Sequence, residues 1–161
     1  MTTKTKIILG SLSLLLITCL ILIVVRFNFV HRSTSSPVVG QPPLNTKTLT
    51  IGQTNLTVEV ADTEASRTQG LSSRRDLSDH AGMLFVFDKP GFYGFWMKDM
   101  KFALDLIWID ETWKIVDLTK NASPKSFPGT YMSSEPVRYV LEVPAGFANK
   151  NNLKIGDVFV H

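Results

Sequence analysis

The most informative stretch of the chain is Phe102-Ala103-Leu104-Asp105-Leu106-Ile107-Trp108-Ile109. Successive side chains of a β-strand point to opposite faces of the sheet, and here both alternating sets are apolar. This pattern predicts a central strand that is buried on both faces. The one acid in the stretch, Asp105, must then be paired, hydrogen-bonded or protonated, because burying a bare carboxylate is costly.

Short apolar runs separated by turn residues continue on both sides of this stretch. They predict further strands at residues 48–51, 56–60, 82–87, 94–98, 113–118, 137–143 and 158–160. Asp62 or Thr63 is expected to cap a short helix that ends at Gln69, and residues 145–151 are expected to form a helical turn. We therefore predict a mainly β domain, a compact sandwich or barrel-like fold of seven to eight short strands with one or two short helices. The helices look too short to carry parallel crossovers.

The N-terminal segment differs from the rest of the chain because residues 7–25 are uncharged and mostly Leu, Ile and Val. As a helix they would span about 28 Å, close to the roughly 30 Å of a bilayer core. The prediction is a cytoplasmic N-terminus at residues 1–6, a transmembrane anchor at 7–25, a juxtamembrane segment and linker at 26–47, and the β domain at 48–161.

Two other interpretations of this segment fit less well. A cleaved signal peptide has a shorter apolar core and a small-x-small site, whereas Arg26 follows the apolar run here. A lipoprotein cleavage before Cys19 would leave a second apolar run behind it. Lys4, Lys6 and the free amine slightly outweigh Arg26 and Arg32, which favours a domain on the exported side, periplasmic or extracellular, of a single-pass cell-membrane protein.

The positive charge of the chain belongs to this anchor. The formal net charge is +3, but residues 33–161 hold 13 basic and 14 acidic side chains. A nucleic-acid-binding domain is not predicted, because phosphate contacts need clustered Lys and Arg on the folded body. The one cysteine, Cys19, lies in the predicted anchor, and the histidines His31, His80 and His161 have no metal-ligand spacing, so we predict no metal and no cofactor.

The candidate site residues are few. In an extended segment Trp96 and Lys98 would point to one side, where the ring can stack on a ligand and the amine can meet an anion. The alternative places Trp96 in the core and uses Lys98 to neutralise Asp105. Asp105 itself is either an acid, base or ligand anchor in a cleft, or a structural acid that accepts backbone N–H groups.

Two further candidates lie elsewhere in the chain. Glu142 falls in the last long strand, and it can form a two-carboxylate acid/base site with Asp105 if the two converge. On an outer strand face it would simply be solvated. Arg74 belongs to a small basic loop and is a peripheral candidate for an anion site.

Several motifs occur in a fixed order that resembles the bacterial and archaeal family known as domain of unknown function 192. They are Gly70-Leu71-x-x-Arg74, Gly82-Met83-Leu84-Phe85-Val86-Phe87, Phe95-Trp96-Met97-Lys98, Leu104-Asp105, Tyr139-Val140-Leu141-Glu142 and Ala145-Gly146. The resemblance covers about residues 56–160 and implies a compact, mainly β domain, often behind a signal sequence or membrane anchor, without an established activity. The chain departs from the family pattern at Ser72, Asp99, Met100 and Ala103, where the family usually has Met, Asn, Thr and Pro.

Three functions are compatible with these residues. The leading hypothesis is a membrane-anchored domain that binds a small ligand, anionic or carbohydrate, or an envelope partner through Trp96, Lys98, Asp105 and Glu142, with Arg74 at the periphery. The second is an envelope hydrolase or lyase that uses Asp105 and Glu142 as its acid/base pair, although no nucleophile with a base and an orienting group is evident. The third is a structural module whose charges satisfy one another.

Overall fold

Residues 44–161 are described by the computed structural model, and they form one unit built on two β-sheets. The elements in chain order are β1 (Thr46–Ile51), β2 (Thr54–Ala61), α1 (Glu64–Gln69), β3 (Ala81–Gly91), β4 (Phe95–Trp96), β5 (Leu104–Ile109), β6 (Ile115–Ala122), a 3₁₀ turn (Pro124–Ser126), β7 (Thr130–Tyr131), β8 (Val137–Pro144) and α2 (Phe147–Lys150). The predicted anchor at residues 7–25 and most of the predicted linker lie outside the described residues. Between residues 44 and 161 no helix has the length and apolar character needed to cross a membrane.

The larger sheet has six strands in the order β1-β2-β3-β8-β5-β6, and β4 pairs with β7 in the smaller one. The mainly β class, the eight strands and the two short helices agree with the prediction. The sheet is open at β1 and β6, however, so the fold is not a closed barrel. Two predicted strands are also shorter than expected, because residues 94–98 reduce to β4 and residues 158–160 form only isolated bridges.

One prediction about connectivity is wrong. Strands β2 and β3 pair in parallel, with Val58 opposite Gly82 and Val60 opposite Leu84, and α1 lies in the connection between them. A parallel crossover needs a dozen or more residues rather than a long helix, and residues 62–80 supply that length even though α1 is short. All the other strand pairs are antiparallel.

The six-stranded sheet separates two apolar clusters. On one face, Ile107, Leu141 and Val143 pack with α2 and the C-terminal segment. On the other, Leu106, Trp108 and further residues pack under α1 and the small sheet. All six residues of β5 are buried, which confirms that the stretch quoted above is covered on both faces.

Asp105 lies at the centre of this arrangement with only 1% of its surface exposed. One carboxylate oxygen accepts the N–H of Asn121 and the other accepts the N–H of Ala148, each at 2.9 Å. The ion pairs found within residues 44–161 join other residues, so Asp105 is compensated by backbone donors and not by Lys98, Lys101 or Arg138. The carboxylate thereby holds the end of β6 and the first turn of α2 against β5.

We expect Asp105→Asn to destabilise the domain by about 1–3 kcal/mol, because an amide presents one acceptor where two buried N–H groups require two. The measurement is the free energy of unfolding in urea. Asp117→Asn is the matched control, since Asp117 also accepts two backbone N–H groups, from Leu118 and Ser134, but is only partly buried. Equal losses in the two variants would contradict a specific role for Asp105.

Candidate functional site

A cavity of about 250 Å³ lies between α1, the turn that follows it, β4 and the larger sheet. Its largest lining side chains are aromatic, from Phe85, Phe87, Tyr93, Phe95 and Trp96. Predominantly apolar walls with a few polar groups are typical of small-molecule sites. The polar lining comes chiefly from α1 and from one carboxyl group of β8.

Helix α1, which forms one wall of the cavity, is positioned by the residues at its two ends. Thr63 caps the helix in a reciprocal arrangement, in which its hydroxyl accepts the N–H of Ser66 and the Ser66 hydroxyl accepts the N–H of Thr63. At the other end Gly70 has a φ of 50°, and a Cβ there would lie 3.3 Å from the ring of Phe85. Glycine at this position therefore lets the chain turn directly over the aromatic wall.

Arg67 ties α1 to the sheet beside the cavity. Its guanidinium donates to the carbonyl of Asp62 at 2.7 Å and to the carbonyl of Val86 at 2.9 Å. The same group lies 5.3 Å from the centre of the Phe87 ring, within the range of a cation–π contact. Arg67 thus orders the wall of the cavity through its own hydrogen bonds.

The aromatic residues brace one another. Phe95 meets Phe85 and Trp108 edge to face, with ring centres 4.8 and 5.5 Å apart. Phe87 and Tyr93 stack at 3.6 Å. Trp96 is 49% exposed and lines the cavity, so a ligand has access to part of its ring.

Glu142 is the one acidic side chain that reaches the cavity from the larger sheet. It projects from β8 in a row with Glu59, Met83 and Leu106 on the neighbouring strands, and it is 5% exposed. Within residues 44–161 its carboxyl group makes no hydrogen bond or ion pair with the protein. Burial raises the pKa of Glu142 to about 8, although the positive charge of Arg74 acts in the opposite direction.

Arg74 is committed to a different partner. Its two terminal nitrogens donate to the two carboxylate oxygens of Glu59, at 2.5 and 2.8 Å. This bidentate pairing raises the pKa of the Arg74 guanidinium, against the effect of partial burial. Arg74 therefore influences Glu142 through its charge and makes no ion pair with its carboxyl group.

The structure brings together some of the residues singled out by sequence and separates others. Trp96 and Glu142 line the cavity, whereas Arg74 is not one of the lining residues and pairs with Glu59. Lys98 is exposed and does not line the cavity, while its carbonyl accepts the hydroxyl of Ser72. Asp105 lies on the opposite face of the sheet.

The hypothesis of an acid/base pair required Asp105 and Glu142 to face one cavity. In the β5–β8 ladder Asp105 is opposite Val143 and Glu142 is opposite Leu106, so the two side chains point to opposite faces. Asp105 contacts the first turn of α2, whereas Glu142 lines the aromatic cavity. The sheet itself stands between the two carboxyl groups.

Sequence reasoning missed most of the cavity wall. The sequence places Phe85 and Phe87 only in a predicted strand and Arg67 only within the predicted short helix that ends at Gln69. The available signal was the run of aromatic residues from Phe85 to Trp96, which is dense for so short a segment. Across the described residues, no group of three or more His, Cys, Asp or Glu side chains is arranged to hold a metal ion.

Comparison with known proteins finds one matching family and two similar solved structures. The model of domain of unknown function 192, described as an uncharacterised ACR, matches residues 47–161. A Sinorhizobium meliloti structure described as a candidate transcription regulator is 32% identical, with a TM-score of 0.71, and the match covers 75% of this chain and 97% of that one. A Novosphingobium aromaticivorans protein of unknown function is 28% identical with a TM-score of 0.71, over 80% of this chain and 91% of that one. No curated protein matches.

Glu142 makes stability depend on pH in a defined direction. Between its ordinary pKa of 4.5 and about 8, the unfolded chain releases the proton while the folded chain keeps it. Raising the pH through this window therefore favours unfolding, by up to about 1.4 kcal/mol per pH unit. We expect the free energy of unfolding of Glu142→Gln, minus that of the unchanged protein, to be larger at pH 8 than at pH 5.

Urea unfolding at pH 5, 6.5 and 8 measures this effect. Glu135→Gln, the same change at an exposed loop position, is the matched control and should follow the unchanged protein at every pH. A stability difference between Glu142→Gln and the unchanged protein that stays constant from pH 5 to pH 8 would show that Glu142 titrates normally.

Proposed function

We propose a ligand-binding role for this chain, which belongs to the family known as domain of unknown function 192. The site is the aromatic cavity between α1 and the larger sheet. The observation that carries the proposal is the Glu142 carboxyl group, which is buried, faces the cavity and has no partner among the described residues. A largely buried carboxyl group that faces a cavity and receives no hydrogen bond from residues 44–161 leaves its hydrogen-bonding capacity to whatever fills the cavity, and this supports a bound molecule.

The size and lining of the cavity support a small ligand. A volume of about 250 Å³ suits a molecule of one or two rings, and Trp96 and Tyr93 offer faces on which such rings can stack. Of the two ligand types expected from the sequence, a carbohydrate or other neutral molecule fits better than an anion. Arg67, which lines the cavity, and Arg74, whose charge acts on Glu142, already donate to protein oxygens.

Two other functions receive less support. The hydrolase or lyase hypothesis needed Asp105 beside Glu142, and the two acids lie on opposite faces of the sheet. A role in transcription, suggested by the description of the Sinorhizobium protein, would need a basic surface if it involved direct DNA binding. Residues 33–161 have slightly more acidic than basic side chains, so we do not extend that description to this chain.

We also propose that the domain works on a membrane tether, on the exported side of the cell membrane. The support is the uncharged apolar segment at residues 7–25, long enough to span a bilayer, and the excess of positive charge before it. A Pro- and Ser-containing linker then separates the anchor from the domain.

The ligand proposal is tested by mass spectrometry of small molecules that the full-length protein retains through purification and releases on unfolding. We expect a retained molecule in the unchanged protein and its loss in Thr68→Trp, because Thr68 lines the cavity from an exposed position on α1. Ala65→Trp places the same bulk on the same helix outside the cavity and should keep the molecule.

A second pair of variants tests the rim. Trp96→Ala should reduce retention, whereas Phe92→Ala removes an exposed aromatic residue that does not line the cavity and should not. The ligand-binding proposal fails if the unchanged protein and Thr68→Trp retain the same molecules, or if neither retains any.

Membrane topology is tested with alkaline phosphatase fused after His161 and expressed in bacteria, since this reporter is active only after export. We expect an active, uncleaved fusion in the membrane fraction, and an inactive one when residues 1–32 are deleted. Phosphatase activity in the soluble fraction with a shortened product would indicate a cleaved signal peptide, and an inactive full-length fusion would contradict export.

A further inference from the structure

We propose that Glu142 binds its ligand as a neutral carboxylic acid, so that the cavity selects an uncharged planar group presenting a hydrogen-bond acceptor next to a donor, such as a carboxamide. This inference rests on the ligand-binding role proposed above and specifies its chemistry. It follows from the charged groups around Glu142, from the hydrogen bonds and ion pairs that those groups already make, and from the apolar side chains nearby.

Among residues 44–161 no cation forms an ion pair with Glu142. Arg74, from the turn after α1, is held by both oxygens of Glu59. Arg67, from α1, donates to two backbone carbonyls and lies over Phe87. Glu64 also lines the cavity and is itself an acid, so it adds no positive charge.

The neighbouring strands add no compensating charge. Beside Glu142 in the sheet are Met83 of β3 and Leu106 of β5, both fully apolar and buried. The titratable Tyr93 of the aromatic wall donates its hydroxyl proton to the carbonyl of Lys89. An ionised carboxylate at this place would be largely buried and would receive no hydrogen bond from residues 44–161, so burial favours the protonated form.

The protonated form has a definite recognition pattern. A carboxylic acid presents one O–H donor beside one carbonyl acceptor in the same plane. A carboxamide presents the complementary pair, N–H beside C=O, and can meet both groups at once. Burial raises the pKa of Glu142 to about 8, so this form predominates at neutral pH. An acid kept neutral by an apolar site, so that it can donate a hydrogen bond, is a known device of protein sites.

The surrounding rings favour a flat molecule. Phe87 and Tyr93 are stacked on each other, and Phe95 stands edge-on to Phe85, so the cavity that Glu142 lines has aromatic side chains on one side. An aromatic carboxamide can fill this space with its ring and direct its amide to the carboxyl group. The simplest probe with this chemistry is benzamide. Benzamidine has nearly the same shape but is a cation with donors only.

The experiment measures binding of benzamide and benzamidine to the full-length protein in detergent by saturation-transfer NMR, at pH 6.5 and pH 9.5. We expect benzamide to bind at pH 6.5 at least tenfold more tightly than benzamidine. At pH 9.5 only a small fraction of Glu142 keeps its proton if its pKa is about 8, so benzamide affinity should fall by up to about 30-fold. Benzamidine should bind more tightly at the higher pH.

Two variants show whether Glu142 is responsible. Glutamine offers N–H beside C=O and cannot ionise, so Glu142→Gln should abolish the pH dependence of benzamide binding. Glu135→Gln, at an exposed loop position, should leave that dependence unchanged. Thermal unfolding of each variant at pH 6.5 verifies that it is folded.

The outcomes separate the two proposals. Stronger binding of benzamidine than benzamide at pH 6.5, no benzamide binding at either pH, or an unchanged pH dependence in Glu142→Gln would each overturn the neutral-acid inference. The ligand-binding role itself is judged by the retained molecule and its loss in Thr68→Trp. A retained molecule that lacks any neutral donor–acceptor group would leave that role standing and overturn the inference alone.

Discussion

The fold depends on a single buried carboxylate, that of Asp105, and on the two backbone N–H groups that it accepts. Strand β5 is covered on both faces, so the charge is tolerated only because Asn121 and Ala148 supply hydrogen bonds. Those bonds bring the end of β6 and the first turn of α2 onto one face of the sheet. The opposite face is left for α1 and the small sheet, and the cavity forms there.

A comparison of the two buried acids explains why only one of them belongs to the proposed site. Asp105 and Glu142 lie on adjacent strands at neighbouring register positions. The first receives a backbone donor at each oxygen, whereas the second lies beside apolar side chains and is influenced by the charge of Arg74 without a hydrogen bond from it. Satisfied hydrogen bonds make Asp105 a structural group. Burial without hydrogen bonds makes Glu142 a group that a ligand can complete.

Much of the scaffold was predictable because it follows from local rules. The strand patterns at residues 56–60 and in the apolar stretch before Asp110 follow from the two-residue period of a β-strand. The helix cap at Thr63 follows from hydrogen bonds within a few residues. The parallel pairing of β2 with β3 was not predictable in this way. It depends on how residues 62–80 return across the sheet. The short helix within them suggested that no parallel crossover was possible, although the whole segment is long enough for one.

The sequence by itself determined the mainly β class, the central strand and the requirement that Asp105 be compensated, because these follow from side-chain polarity and strand period. Tertiary structure alone decided which partners compensate Asp105, that Arg74 belongs to Glu59, and that Glu142 meets a cavity. The physical reason is that strand register chooses the face on which each side chain lies, and register is set by contacts between residues far apart in the chain.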